Sequence, residues 1–237
     1  MLRPGALRRA LSVLLLALPV AAIAAAGSGW VEIPGGRFES AIDFEDVDQL
    51  RIEPFELQRR PVTNAEFLAF VQAHPEWRRD RVATVLADAR YLQHWAGATA
   101  LESEAQGLQP VVNVSWFAAQ AYCEAQGARL PTWGEWEYVA AADETRRDAR
   151  RDPAWRERIL TWYSEPARKQ LPRAGLQAAN AYGVQDMHGL VWEWTEDASS
   201  LMVDSDNRTQ GDPDKGKFCG AGALSMDDRE NYAVMMR

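Results

Sequence analysis

Apolar and polar residues alternate in two stretches of the first third of the chain, a spacing that predicts β-strands. The stretch WVEIPGGRF (Trp30–Phe38) alternates as far as Gly35 and Gly36, which predicts a strand that enters a hairpin at these glycines. The second stretch, IEPFEL, occupies residues 52–57 and predicts another strand. The amino-terminal part of the domain is therefore expected to contain a small sheet.

Three later stretches have the spacing of an amphipathic helix, and each follows a residue that can cap the amino end of a helix. After the first cap, Phe67, Phe70 and Val71 fall on one helical face, and Gly127 predicts the end of the second helix. Two of the caps show the Thr-x-x-Glu spacing of a capping box. The caps are Thr63 with Glu66, Ser115, and Thr132 with Glu135.

The remaining stretches have weaker patterns. Residues 78–109 are charged and alanine-rich and predict a short helix followed by a long surface loop, whereas residues 143–176 are mostly polar and predict irregular backbone. The sequence contains no internal repeat and no low-complexity linker. A length of 237 residues with 47% hydrophobic composition predicts one domain with one sizeable core, and ten tryptophans favour irregular backbone between short elements.

The first 26 residues predict an export signal. Arg3, Arg8 and Arg9 give it a positive start, and the apolar run that follows ends in small residues. This run is a little short for a bilayer, which takes about 20 residues to span. The residues after the arginine pair match a twin-arginine signal only in part, which favours the Sec route. The prediction is an export signal over residues 1–26 and a periplasmic or secreted domain over residues 27–237, with no membrane contact after cleavage.

Charge and cysteine content narrow the possible partners and cofactors. The formal charge is -8, and removal of the three arginines in the signal brings it to about -11. This balance argues against nucleic acid and anionic membranes as partners. The two cysteines, Cys123 and Cys219, can form a disulfide in an oxidising compartment or remain two unpaired thiols. No Cys-x-x-Cys motif is present, so no structural zinc site is predicted.

The stretch DMHGLVWEWTED (Asp186–Asp197) combines aromatic surface and negative charge to an unusual degree. One interpretation is a buried strand with its tryptophans on one face. Another is a loop whose carboxylates and carbonyls hold a metal ion.

Several motifs together resemble the formylglycine-generating enzyme family, also called the sulfatase-modifying factor family. PVVNVSW, AYCEAQGARLPTWGEWEYVAAA and YGVQDMHGLVWEWTED occur in the family's order and spacing, and VEIPGGRF and PFELQRRPVTNAEFLAFV look like its opening motifs. The resemblance extends over about Trp30–Arg237. It implies an irregular α+β domain that is low in regular secondary structure and related to the C-type lectin fold.

The resemblance also implies one structural calcium site within the tryptophan-rich motif. Its ligands would be the Asp186 side chain, the Gly189 and Val191 carbonyls and the Glu193 carboxylate. This chemistry is reasonable, because calcium takes six to eight hard oxygen ligands in loose geometry and a turn containing glycine can direct carbonyls inward.

The neighbours of these ligands are expected to have structural roles. Trp192 and Trp194 would lie in the core on the opposite face, and His188 would pack or hydrogen-bond locally because calcium prefers oxygen to imidazole. Leu190 stands where the family pattern usually has asparagine, which removes a polar contact and not a ligand. Residues 161–183 contain no clear counterpart of a second calcium-binding stretch found in formylglycine-forming members.

The end of the chain departs furthest from the family pattern. Formylglycine-forming members have an Arg-Gly-Gly-Ser turn followed by two cysteines that hold copper and activate oxygen. Alignment of that turn with Gly220–Ala223 places Met226 and Asn231 at the cysteine positions. Copper(I) needs soft thiolate ligands, so neither bound copper nor sulfatase activation is predicted. A structural or disulfide role is favoured for Cys219 over a role as nucleophile.

The chain ends at Arg237, before the closing strand that family domains usually contain. In the family this strand often carries a cysteine that pairs with the one at the Cys123 position. We expect the last strands to be under-paired and a neighbouring strand to keep an unpaired edge, unless the fold closes differently.

Two classes of function remain open. The first is an accessory or oxidative maturation factor for a periplasmic protein or a secreted metabolite, similar to pyoverdine-maturation oxidases or nitrite-reductase accessory proteins of the wider superfamily. That superfamily includes iron-dependent ergothioneine synthases with a separate His-rich domain, and three widely spaced histidines (His74, His94 and His188) argue against that branch. Use of iron as such stays open. The second class is a non-catalytic lectin-like binding or structural module.

Overall fold

A computed structural model describes residues 29–40, 49–164 and 170–197 of the chain. The strands in these ranges are β1 (Trp30–Ile33), β2 (Gly36–Phe38), β3 (Leu50–Ile52) and β4 (Phe55–Gln58). The helices are α1 (Asn64–Ala73), α2 (Glu104–Gly107), α3 (Trp116–Ala125), α4 (Trp133–Ala140) and α5 (Pro153–Ser164), and a 3-10 helix at Pro75–Trp77 follows α1. The predicted export signal and residues Cys219, Met226 and Asn231 lie outside the described ranges.

The mixture of helices with small antiparallel sheets confirms the predicted α+β class. The relationship to C-type lectins stays a prediction. Among the helices just named, none has both the length and the apolar content that a bilayer-spanning helix needs.

The strand prediction is confirmed, but the predicted hairpin turn at Gly35–Gly36 is wrong. Strand β1 pairs antiparallel with β4, and β2 pairs antiparallel with β3, so the chain continues through the two glycines instead of reversing there. Gly35 has a φ of +69°, and a Cβ atom at this position would collide with the Ile52 carbonyl of the opposite strand. The glycine therefore allows close approach of two strands. Pro54, which has no N–H to donate, lies between β3 and β4 and separates the predicted strand into two.

The three helices predicted from capping residues are present. The capping boxes of α1 and α4 form as expected, and Ser115 accepts a hydrogen bond from the backbone N–H of Ala118 at the start of α3. Gly127, with a φ of +69°, follows the end of α3. These elements were predictable because each cap satisfies backbone donors of its own first turn.

The prediction of a short helix followed by a surface loop over residues 78–109 is wrong in its order and in its burial. The short helix, α2, lies near the end of this stretch, and Tyr91, Leu92 and Trp95 are buried. The Arg79 guanidinium donates hydrogen bonds to the carbonyl oxygens of Leu92 and Trp95 at 3.0 and 2.9 Å. Because arginine satisfies these backbone acceptors, the loop can bury its aromatic residues without losing hydrogen bonds.

The prediction of irregular backbone over residues 143–176 is also wrong in part, since this stretch contains the 12-residue helix α5. The charged run Arg156, Glu157 and Arg158 interrupts the apolar positions of α5 in the sequence. Trp155 and Ile159, four residues apart, are buried and form the face that packs against the core.

The core consists of two clusters of buried side chains. The first joins the strands to α4, α5 and residues 182–187, and includes Ile33, Val139 and Ile159. The second joins α1, α3 and the loop that carries Trp95. Residues 186–194 overlap the end of the first cluster, which includes Met187, and continue beyond it. This position brings the candidate site next to α4 and α5.

Candidate functional site

The candidate site is built around a tight turn at residues 186–189, and the interpretation of this motif as a strand is wrong. The structure assigns no strand to residues 186–197. Asp186 has a φ of +61° and Gly189 a φ of +76°, both in the left-handed region. A Cβ atom at Gly189 would lie 2.8 Å from a ring carbon of Trp162 on α5, so only glycine fits under that indole. Non-glycine residues in this conformation are often found at ligand sites.

The Asp186 carboxylate is buried and is held by backbone donors. The side chain is 4% exposed. Its Oδ1 accepts a hydrogen bond from the Gln177 N–H at 3.2 Å, and its Oδ2 accepts one from the Gly175 N–H. The Gln177 side chain also donates a hydrogen bond to the His188 carbonyl oxygen at 2.7 Å. Residues 175–177 therefore hold both the carboxylate and the turn.

The Glu193 carboxylate is the second acidic group of the site. Its Oε2 accepts a hydrogen bond from the Trp136 Nε1–H at 2.7 Å. Burial of the carboxylate raises the pKa of Glu193 to about 7, and the negative charge of Asp186 adds to the rise. Glu193 is also exposed on one side, and the solvent there opposes this rise. The charge of Asp186 thus acts on Glu193 across the site.

The side chain of His188, a residue of this turn, lies in an aromatic environment. Its Nε2–H donates to the Ala140 carbonyl oxygen at 2.7 Å, and its Nδ1 lies 3.3 Å from the Tyr163 hydroxyl, which donates to it. Burial lowers the pKa of His188 to about 4, so the ring is neutral at pH 7. Local packing and hydrogen bonding of His188, as predicted, are confirmed.

The prediction that Trp192 and Trp194 lie in the core is wrong. Trp192 is 54% exposed and Trp194 is 39% exposed. The Trp194 Nε1–H donates to the Val114 carbonyl oxygen at 3.0 Å, and the Trp192 ring packs on Tyr163 with 5.3 Å between ring centroids. The prediction relied on strand alternation, and the segment has no strand partner to impose it.

These tryptophans border an apolar cleft of about 500 Å³. Other parts of its lining are Trp30, Phe55, Val62, Tyr122, Leu130 and Val191. Two of the four predicted calcium-ligand residues, Val191 and Glu193, face this cleft, so the cleft and the candidate cation site share a wall.

Cys123 lies at the cleft as a half-buried free thiol, and Cys219 lies outside the described ranges. The disulfide between them stays a prediction. Burial raises the pKa of the Cys123 thiol to about 11, with a smaller contribution from the charge of Glu124. Since the thiolate is the reactive species, this environment makes Cys123 an unreactive cysteine.

A Cys219→Ser variant, which leaves Cys123 as the only cysteine, is expected to react slowly with a disulfide reagent at pH 8. With a pKa of about 11, the thiolate fraction is roughly two orders of magnitude below that of an ordinary cysteine. The measurement is the rate of thiol release in native buffer, with the same variant in concentrated urea as control. Equal rates in the two conditions would show that Cys123 is not shielded.

The residues at the turn fit calcium and do not fit a softer metal. Asp186, Glu193 and the backbone carbonyls offer only oxygen, which is the ligand calcium prefers. Across the described ranges, no three side chains from histidine, cysteine, aspartate or glutamate come together as a metal-binding group. A cation at this site must therefore also use backbone carbonyls, and the predicted ligand set provides two.

Sequence reasoning missed Trp136 and Gln177, whose side chains hydrogen-bond to the predicted site from outside the motif. Trp136 comes from α4, and Gln177 comes from the irregular segment that precedes the turn. Their only signal in the sequence is a polar hydrogen-bonding group near aromatic residues, which does not identify a partner.

Comparison with known proteins gives a consistent result over most of the chain. Residues 19–228 match the sulfatase-modifying factor enzyme 1-like domain. The chain is 34% identical over 203 residues to hercynine oxygenase of Mycolicibacterium smegmatis. This match covers 75% of this chain and 47% of that relative. It is 31% identical over 215 residues to the formylglycine-generating enzyme of Streptomyces coelicolor, a match that covers 71% of this chain and 68% of that enzyme. It is also 31% identical over 219 residues to the inactive C-alpha-formylglycine-generating enzyme 2 of Mus musculus, with 70% and 67% covered. The chain thus spans about half the length of the hercynine oxygenase.

Proposed function

The chain belongs to the sulfatase-modifying factor family, and on this premise we propose that it is an exported member that does not form formylglycine. In this proposal it is an accessory or oxidative maturation factor for a periplasmic protein or a secreted metabolite. The observation that supports the first part is in the sequence, which has only two cysteines, and alignment with the family's turn would place Met226 and Asn231 at the positions of the copper-binding pair. Without two thiolates the chain lacks the soft ligands of copper(I).

The cysteine that the structure describes does not replace this pair. Cys123 is a single thiol whose pKa is raised by burial, which disfavours the thiolate that would bind a metal. The resemblance to a mouse family member named as inactive is consistent with a fold that is retained without this chemistry.

Similarity to a hercynine oxygenase supports an oxidative role but does not supply its metal site. The chain has three histidines. His188 is hydrogen-bonded through both ring nitrogens, and the Nε2 of His94 lies 3.1 Å from Asn64 Oδ1. These two histidines have structural surroundings, so an oxidative role would depend on a metal held in another way.

The cleft favours a second candidate, a non-catalytic module that binds its partner. Exposed tryptophans are common at binding surfaces because they offer a large apolar face and one polar donor. Trp192 and Trp194 lie at the edge of the cleft with more than a third of their surface exposed. A partner that covers them would gain apolar contact beside the candidate cation site.

Calcium has a structural role in this proposal. Asp186 and Glu193, together with the carbonyls of Gly189 and Val191, would hold the ion. Bound calcium would neutralise the two carboxylates and hold the turn that places Trp192 on the cleft. The motif of the turn, its oxygen-only donors and the effect of the Asp186 charge on Glu193 support this assignment.

The purified protein is expected to leave a Cys-x-Pro-x-Arg peptide unchanged in the presence of copper and oxygen. The physical reason is the absence of the thiolate pair that would bind copper. The measurement is peptide mass over time, with the formylglycine-generating enzyme of Streptomyces coelicolor as the positive control. Any loss of thiol mass above that of the buffer control would overturn the assignment of Met226 and Asn231 to the cysteine positions.

A further inference from the structure

We propose that Trp136 and Gln177 are the positioning residues of the cation site: Trp136 orients the Glu193 carboxylate, and Gln177 holds Asp186 and the turn that follows it. This inference rests on the calcium site proposed above. Neither residue is a calcium ligand in that proposal. Both act through hydrogen bonds to the groups that surround the ion.

Trp136 is fixed in place by its helix and by its neighbours. It is 5% exposed and lies in α4, whose first turn is held by the capping box of Thr132 and Glu135. Its ring stacks on Trp133 at 5.7 Å between centroids and meets the His188 ring edge-on at 5.9 Å. An indole held in this way can direct its single N–H in only one direction.

That direction is the Glu193 carboxylate. The Nε1–H of Trp136 donates to Oε2 of Glu193 at 2.7 Å, at the short end of the range for an N–H···O hydrogen bond. One oxygen is thereby held by the helix, and the other oxygen keeps its lone pairs for a cation. Loss of this donor would let Glu193 rotate toward solvent, to which one side of it is already open.

Gln177 contacts the turn at two points. Its backbone N–H donates to Oδ1 of Asp186 at 3.2 Å, and its side-chain Nε2–H donates to the His188 carbonyl at 2.7 Å. The Gln185 side chain donates to the carbonyl of Gln177 at 2.8 Å and completes a closed set of hydrogen bonds. The bond to His188 fixes the peptide immediately before Gly189. Gln177 therefore sets both the position of a ligand carboxylate and the path of the turn.

Partners of this kind usually change metal affinity strongly, since they determine how far the ligands are pre-organised. We expect Trp136→Phe and Gln177→Ala each to raise the calcium Kd by about tenfold or more. The measurement is calcium titration calorimetry on the full chain after chelator treatment, with thermal unfolding of each variant recorded in chelator. Gln177→Ala removes the half-buried side chain that bonds to the His188 carbonyl and keeps the backbone bond to Asp186, so it tests the hold on the turn even if Trp136→Phe folds poorly.

Two variants at a distance act as matched controls. Trp95→Phe also removes a buried indole N–H, which donates to Asn64 Oδ1 at 2.8 Å, and Gln106→Ala also removes a glutamine bond to a backbone carbonyl, that of His94. Both are expected to lower stability without changing the calcium Kd.

The outcomes separate the two proposals. Absence of calcium binding by the unaltered protein would overturn the cation site itself. Binding by the unaltered protein with an unchanged Kd in Trp136→Phe and Gln177→Ala would overturn the positioning roles and leave the site. Equal weakening in the Trp95 and Gln106 controls would show a general loss of structure, and it would also overturn the positioning roles.

Discussion

Replacement of Asn64 by alanine is expected to lower the free energy of unfolding by about 3–5 kcal/mol, a large part of a typical total of about 5–15 kcal/mol. Asn64 is the first residue of α1 and is 1% exposed. Its side chain is the polar centre of the second core cluster. Its amide connects that helix to two separate parts of the chain.

The expected loss follows from the groups that would be left without partners. Oδ1 of Asn64 accepts the Nε1–H of Trp95 at 2.8 Å and lies 3.1 Å from Nε2 of His94. Its Nδ2 donates to three backbone carbonyls within Gln106–Pro110 at 3.0 to 3.2 Å. Each buried polar group left without a hydrogen bond costs about 1–3 kcal/mol, and alanine at position 64 would leave more than one such group without its partner.

Urea denaturation followed by tryptophan fluorescence measures this loss. Asn64→Asp is expected to be at least as destabilising, because a carboxylate would face the carbonyls of 106–110 in place of the amide donors. Gln93→Ala removes an exposed amide from the same loop and serves as the control. A change of less than about 1 kcal/mol in Asn64→Ala would mean that water replaces the amide and that this cluster is open to solvent.

The Asn64 network shows why the sequence predicts some parts of this fold and not others. The capping boxes of α1 and α4 involve residues three positions apart, so the pattern itself states the contact. The partners of Asn64 are 30 to 46 residues away, and no local pattern links them. Burial of Trp95 depends on this network and on Arg79. A charged stretch whose buried tryptophan bonds to a distant asparagine therefore resembles a surface loop in the sequence.

In the candidate site, too, the local contacts could be predicted from the sequence and the long-range contacts could not. The spacing within Asp186–Glu193 is local, and resemblance of the motif was enough to identify the predicted ligands. Trp136 is 57 residues away from Glu193, and its role becomes visible only in three dimensions. The exposure of Trp192 and Trp194 was missed for a different reason. Alternation predicts which way a side chain points only where pairing with a neighbouring strand keeps the backbone extended. Among the described residues, the segment 186–197 has no such neighbouring strand.

Addition of calcium to the chelated protein is expected to raise its melting temperature by about 5–10 °C. A ligand that binds only the native state at about 100 times its Kd stabilises it by about 2.7 kcal/mol, and 1 kcal/mol corresponds to about 2–4 °C for a domain of this size. The physical source is neutralisation of Asp186 and Glu193, which otherwise place two negative charges at one turn. The measurement is thermal unfolding by circular dichroism in EGTA and in excess calcium.

The Glu193→Gln variant gives the sharper form of this prediction. Glutamine can keep an oxygen to accept the Trp136 N–H, but it removes one of the two charges. The raised pKa of Glu193, due to burial and then to the charge of Asp186, means that the charged form is disfavoured in the folded protein. In EGTA the variant is therefore expected to melt at or above the temperature of the unaltered protein. In calcium it is expected to melt below it, because a ligand charge is missing.

This reversal in the order of melting temperatures distinguishes a cation site from an ordinary buried acid. A structural carboxylate with no cation would give the same order of stability in both buffers. Glu102→Gln, at an exposed position, removes the same charge and is expected to follow the unaltered protein in each buffer. If Glu193→Gln and the unaltered protein keep one order in EGTA and in calcium, the turn at Asp186 holds no calcium.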